Sequence, residues 1–199
     1  MMKMIKTVME GEGAIKLFVA SSLDEFKAER NELEYFFSQL NNILVKRGMF
    51  VKLILCEGSS DAMVDGRMQD AYNDEIRSCD ILYVLFRERA GSCTIEEFEV
   101  AHQNMFEAGR PQIFVMIQRL GRDDELSEAL CSFLGRLKDE FEHPYSFFTH
   151  IDQVKYDMLC NVAKSLPLDI ELKVEESGIF VCGSRLAGID AQNGAQAVF

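Results

Sequence analysis

The sequence predicts an α/β domain built around a mostly parallel five-stranded sheet. Short, almost wholly apolar segments recur along the chain, helical patterns separate them, and the alternation repeats about every 30 residues. Buried parallel strands are covered by helices on both faces, so their sequences are near-continuous apolar runs. The intervening helices supply the crossover connections that parallel strands need. A three-layer arrangement with helices on both faces of the sheet is therefore expected.

The individual elements follow from length, β-branched content and helical spacing. Strands are predicted over residues 15–20, 50–56, 80–86, 112–117 and 145–151. Helices are predicted over residues 23–46, 67–78, 95–108, 123–141 and 153–165. Gly48 ends the first helix, and Gly109 with Pro111 ends the third. We expect the first strand in the centre of the sheet and the second at an edge.

The two ends of the chain differ from this pattern. Residues 1–13 are predicted to be a flexible tail, and residues 14–166 to form the α/β domain. Residues 170–182 alternate in polarity around Glu176-Ser177-Gly178, which predicts a β-hairpin. The segment 167–199 is therefore expected to be a hairpin and a linker, beyond which the natural protein continues or which contacts a partner.

Composition excludes several classes of protein. The net charge is −12, so the chain lacks the basic surface of a nucleic-acid binder. No apolar run approaches the roughly 18 residues of a membrane span, and the N-terminus lacks the apolar core of a signal peptide.

Cysteine and histidine usage argues against a metal site. The six cysteines are Cys56, Cys79, Cys93, Cys131, Cys160 and Cys182, and no pair has C-x-x-C spacing. The three histidines also lack metal-ligand spacing, so we expect no metal and no bound cofactor. These features predict a cytoplasmic protein.

The strongest candidate for chemistry is Glu97. Glu96, Glu97 and Glu99 follow the third predicted strand and its loop, at what the pattern predicts to be the first turn of a helix. The carboxyl ends of parallel strands are where open α/β sheets bind ligands. A carboxylate held there can stabilise an oxocarbenium-like ribosyl centre or act as nucleophile or base in N-glycosidic cleavage. Alternatively, the three glutamates simply complement the positive end of the helix dipole.

Two further groups lie at the same predicted rim. Ser21 and Ser22 end the first strand and could bind a phosphate or a ribose, or could instead cap the following helix. Arg67 follows the polar segment 57–66 and could bind a pyrophosphate, or could be a solvated arginine at a helix end. Segment 57–66 is expected to be the most mobile loop near the cleft because it is rich in Ser, Gly and Asp.

Several of these residues resemble the motifs of a known superfamily. They are Phe18-Val19-Ala20-Ser21-Ser22 with Asp24 and Glu29-Arg30, then Ile76, Cys79, Asp80 and Ile81, then Gly91, Thr94, Glu97, Phe98, Glu99 and Ala101. This ordered set resembles the Toll/interleukin-receptor (TIR) superfamily, and within it a bacterial TIR-like group once classed as a domain of unknown function. It is also similar to nucleoside 2-deoxyribosyltransferases, in which a glutamate follows a threonine by three residues.

The resemblance implies a flavodoxin-like sheet with strand order 2-1-3-4-5. It implies cleavage of NAD, as substrate, at the nicotinamide–ribose bond. Glu97 takes the position of the catalytic glutamate, and Thr94, Ser21, Ser22 and Arg67 are the expected substrate-binding residues. Bacterial relatives act in antiphage defence and cleave NAD once an attached sensor makes them assemble. The resemblance therefore implies self-association through TIR-type contacts and a sensor or repeat module C-terminal to this chain.

Two alternatives remain open at this point. Many TIR domains are non-catalytic modules that work by self-association. A nucleoside 2-deoxyribosyltransferase-like enzyme would act on free nucleosides instead of NAD.

Overall fold

The computed structural model describes residues 14–55, 68–119, 121, 126–165, 168–175 and 178–186. The strands are β1 (Ala14–Ser21), β2 (Phe50–Leu55), β3 (Ile81–Phe86), β4 (Gln112–Gln118), β5 (Tyr145–Phe148), β6 (Leu168–Glu175) and β7 (Gly178–Leu186). The helices are α1 (Leu23–Leu44), α2 (Met68–Ser78), α3 (Ser92–Ala108), α4 (Glu128–Asp139) and α5 (Ile151–Ser165), and a 3₁₀ turn, Val45–Arg47, follows α1.

Strands β1 to β5 form one parallel sheet in the order β2-β1-β3-β4-β5. This arrangement confirms the predicted fold class, the central position of β1 and the edge position of β2. The order also places a topological reversal at β1 and β3, because the chain moves outward to β2 and then back across β1. In open α/β sheets, ligands bind beside such a reversal at the carboxyl ends of the strands.

Alternation along β1 divides the core into two layers. Leu17 and Val19 pack on the sheet face covered by α1 and α5. Phe18 and Ala20 pack on the opposite face, with apolar residues of α2, α3 and α4. Successive side chains of a strand point to opposite faces, so the direction of each rim residue follows from its place in this alternation.

Helix α3 begins earlier than the sequence pattern predicts. Gly91 is extended (φ −68°, ψ 142°) and precedes the helix, whose first residue is Ser92 rather than Ile95. Residues 92 and 94 are polar, so the spacing of apolar residues does not reveal the first turn. As a result Glu96, Glu97 and Glu99 lie beyond the first turn, and the prediction that they form it is wrong.

The other boundaries differ by a few residues. Helix α4 begins at Glu128, because the Ser127 hydroxyl accepts a hydrogen bond from the Leu130 amide (3.2 Å) and caps the helix there. Strand β5 is only four residues long, and α5 begins at Ile151. The Gly48 and Gly109 stops are confirmed: both glycines have positive φ (73° and 72°).

The C-terminal part contains the predicted hairpin strands. Strands β6 and β7 pair antiparallel as a separate two-stranded sheet, and β7 contacts α1. Residues 176 and 177 of the predicted turn lie outside the described residues. Among the helices that the structure describes, none has the length and apolar character that a membrane span requires.

The outer side of the edge strand β2 has a side chain bonded to its backbone. Asn41 of α1 donates from Nδ2 to the Val51 carbonyl oxygen and accepts from the Val51 amide, both at 2.8 Å. Both polar backbone groups of Val51 are therefore bonded to a single side-chain amide.

Candidate functional site

The carboxyl ends of the five strands form one rim of the sheet, and helix α3 starts beside it. Strand β3 ends at Phe86, residues 87–91 connect it to α3, and the helix then packs against β1, β3 and β4. The first two turns of α3 therefore lie near the topological reversal between β1 and β3.

The three glutamates of α3 point in three directions. Glu96 accepts a hydrogen bond from Asn73 Nδ2 on α2 (2.9 Å). Glu99 accepts one from Arg136 on α4 (2.7 Å), and both partners are roughly 40% exposed. Glu97 is 1% exposed. Because successive helical residues are about 100° apart, neighbouring glutamates must diverge in this way, and only Glu97 lies on the buried face.

The buried face of α3 consists of Thr94, Glu97, Phe98 and Ala101. Phe98 and Ala101 belong to the apolar layer that also contains Phe18 and Ala20 of β1. Thr94 precedes Glu97 by one turn, so the threonine and the carboxylate share a face. Burying a carboxylate is costly in free energy unless its environment compensates it.

This position argues against the helix-dipole interpretation of Glu97. The stabilisation of a carboxylate by a helix dipole falls off within the first turn, and Glu97 is the sixth residue of α3. A carboxylate that only complemented the dipole would also remain solvated. Glu96 and Glu99 instead have interhelical partners, so their structural roles are visible in the fold.

Ser21 lies on the other face of the sheet from α3. Its side chain follows Leu17 and Val19 in the alternation, and its hydroxyl accepts a hydrogen bond from Arg30 Nη1 of α1 (3.3 Å). Arg30 is buried and also reaches the Ser21 carbonyl oxygen (3.4 Å). The Ser21 hydroxyl is thus directed toward α1, and its role in substrate binding stays a prediction.

Ser22 occupies the position before α1 and is half-buried. Within the part of the chain that the structure describes, its hydroxyl accepts no capping hydrogen bond from that helix. Of the two serines, Ser22 is thus the one whose hydroxyl is not used to hold α1. Arg67 and segment 57–67 lie outside the described residues.

The rim carries a polar cluster that the sequence analysis missed. Arg87 directly follows β3, donates from Nε to Gln118 Oε1 (2.7 Å), and forms an ion pair with Glu29 of α1. Its guanidinium also lies over the Phe26 ring, 4.7 Å from the centroid. The only sequence signal was a charge immediately after an apolar strand. We call Glu29, Arg87 and Gln118 the Arg87 cluster.

A groove of about 710 Å³ lies elsewhere, along α1 and the edge strand β2. It is lined by Glu34, Phe37, Ser38, Asn41, Asn42, Val45, Lys46, Phe50, Val51, Lys52 and Leu53. None of the predicted site residues borders it, so the groove and Glu97 are separate features. Across the described ranges, no cluster of three or more His, Cys, Asp and Glu side chains could hold a metal ion.

No family model and no curated protein sequence matches the chain. Among solved structures, the chain is similar to the Clostridium botulinum CMP N-glycosidase BcmB, with 12% sequence identity and a TM-score of 0.45. The match covers 73% of this chain and 98% of the other. At that level of likeness it carries no argument about function, and the site must be judged on its own residues.

Proposed function

We propose that this protein cleaves an N-glycosidic bond of a nucleotide, with Glu97 as the catalytic carboxylate. The observation that carries the proposal is the burial of Glu97 beside the carboxyl rim of the sheet, while the neighbouring Glu96 and Glu99 bond adjacent helices. NAD is the proposed substrate, because the sequence resemblance to TIR-like proteins implies it.

The proposed reaction consumes water. The bond between ribose C1′ and the nicotinamide nitrogen breaks, and its electron pair leaves with the nicotinamide. Positive charge develops on the ribose, where the Glu97 carboxylate stabilises it. Water then attacks C1′ and loses a proton, which gives ADP-ribose, nicotinamide and H⁺.

The decisive test compares three isosteric variants of one helix. Glu97→Gln removes the charge and keeps the shape, so NAD cleavage should fall by about 10²–10³, as for loss of one preorganised electrostatic group. Glu96→Gln and Glu99→Gln should each change the rate by less than about threefold, because their side chains face α2 and α4. Nicotinamide release by concentrated protein is the measurement. If Glu97→Gln retains near-full activity, the enzymatic proposal fails and the self-association module becomes the better interpretation.

A panel of substrates tests which compound has its N-glycosidic bond cleaved by the protein. NAD, nucleoside monophosphates and deoxynucleosides with a free acceptor base should be offered to the protein and to Glu97→Gln. Glu97-dependent cleavage of NAD supports the full proposal. Glu97-dependent transfer of deoxyribose between bases would instead identify a nucleoside 2-deoxyribosyltransferase-like enzyme and exclude NAD hydrolysis as the function.

Binding can be measured independently through the cysteines. Cys93 is exposed and lies four residues before Glu97, about 40° away around the helix. Cys131 on α4 is also exposed and serves as the control, whereas burial raises the pKa of the Cys79 thiol to about 12. NAD should slow alkylation of Cys93 in Glu97→Gln without slowing that of Cys131. Equal rates at both cysteines with and without NAD would contradict binding beside α3.

Activation by self-association is part of the same proposal. An enzyme that destroys NAD must be inactive until needed, and assembly is governed by mass action. Specific activity should therefore rise with protein concentration or after fusion to an oligomerising domain. Full turnover by a sample that stays monomeric in solution would exclude this form of regulation.

A further inference from the structure

We propose that Arg87 is a positioning residue for Glu97, an inference that rests on the function proposed above. Arg87 connects three elements of the rim. It bonds Glu29 of α1 and Gln118 at the end of β4, and Gln118 Nε2 in turn donates to the Thr149 carbonyl oxygen after β5 (3.2 Å). The side chain lies over Phe26, on the α1 face of the sheet.

The next residue is held through its backbone. The Glu88 amide donates to Glu25 Oε1 (3.2 Å), and the Glu88 carbonyl oxygen accepts from the Ser127 amide before α4 (2.8 Å). Residues 87 and 88 are thus fixed by α1, β4 and the start of α4. Only residues 89–91 separate this fixed segment from Ser92, the first residue of α3.

This arrangement couples the Arg87 cluster to Glu97 through the chain. Glu97 lies in the second turn of a helix whose start is set by residues 87–91, so a displacement of that connection moves the carboxylate with the helix. Arg87 is on the α1 face, whereas Glu97 faces the sheet from the α3 side. We therefore expect Arg87 to affect the position of Glu97 rather than to contact the substrate. A misplacement of about 1 Å can cost on the order of 10²-fold in rate.

The test is a set of kinetic variants with a matched control. Arg87→Gln should lower kcat for NAD cleavage by about tenfold to a hundredfold and change KM by less than twofold. Glu29→Gln should reproduce much of this loss, because it removes the same ion pair. Arg136→Gln is the control: Arg136 also pairs with a glutamate of α3, Glu99, but on the exposed side. It should lower kcat by less than about threefold.

The outcomes separate this inference from the proposed function. If Glu97→Gln lowers the rate of NAD cleavage by about 10²–10³, adding Arg87→Gln to that variant should cause no further loss of the residual rate. An unchanged kcat in both Arg87→Gln and Glu29→Gln overturns the positioning role and leaves the function intact. A rise in KM with constant kcat also overturns it, because Arg87 would then bind substrate. If Arg87→Gln does not fold, Glu29→Gln alone decides. Full activity of Glu97→Gln refutes the function itself.

Discussion

The hydroxyl of Tyr83 should contribute measurably to stability. Tyr83 is fully buried in β3, and its hydroxyl donates to Asp157 Oδ2 (2.6 Å) and accepts from Asn161 Nδ2 (2.8 Å), both on α5. Burial and the bond to Asp157 raise the pKa of Tyr83 well above its usual value, so the hydroxyl remains a donor at all ordinary pH values. These two hydrogen bonds connect α5 to the centre of the sheet.

Tyr83→Phe removes this hydroxyl without changing the ring. Asp157 loses a charge-assisted hydrogen bond, which is worth about 1.5–3 kcal/mol. Asn161 keeps its bonds to the Asp157 carbonyl oxygen (3.0 Å) and Oδ2 (3.2 Å), so the amide remains bonded. We therefore expect the free energy of unfolding to fall by about 2 kcal/mol.

This loss can be measured by urea denaturation with circular dichroism as the signal. With an m-value of about 2 kcal/mol/M, the midpoint should fall by about 1 M while the slope stays constant. Tyr35→Phe is the matched control: Tyr35 is 61% exposed, so the same substitution should change stability by less than about 0.5 kcal/mol. Equal midpoints for the two variants would refute the assigned contribution of the Tyr83 hydroxyl.

Two further predictions concern charge. Burial lowers the pKa of His143 below its value of about 6.5 in the unfolded chain, so the folded state favours the neutral ring. The stability that this neutral ring contributes is complete above about pH 6.5 and is lost as the pH falls below that value. His143→Asn should flatten that part of the stability–pH profile, and an unchanged slope between pH 7 and 5.5 would contradict this. Lys155 is buried and pairs with Glu32 (2.8 Å) and Asp152 (2.9 Å), so Lys155→Met should cost about 1–3 kcal/mol in a thermal or urea unfolding assay. Lys52→Met breaks a pair whose members are each 40% exposed and should cost less than about 1 kcal/mol; similar losses for both lysines would contradict the role of burial.

The fold was largely predictable because the central strands β1, β3 and β4 are each a nearly continuous apolar run. Buried parallel strands need no alternation, so the segments around Leu82 and Val115 stand out from the amphipathic helices. The start of α3 was not predictable in the same way. Ser92 and Thr94 are polar, and apolar periodicity detects such a first turn only from Ile95 onward.

The candidate site was also predictable only in part. Helical geometry alone separates Glu97 from Glu96 and Glu99, because neighbouring residues on a helix cannot share a face. The partners that hold the neighbouring glutamates could not be predicted, since Arg136 is 37 residues beyond Glu99. Arg87 and Glu29 are 58 residues apart, and only the folded sheet brings them together.

The bond between Asn41 and Val51 has a consequence for aggregation. An edge strand normally offers free amide and carbonyl groups to any extended chain, and such edges are sites of unintended sheet growth. At Val51 one side-chain amide, that of Asn41 in the last turn of helix α1, already takes the place of a neighbouring strand. A second strand can therefore pair with the backbone of Val51 only after Asn41 has released it.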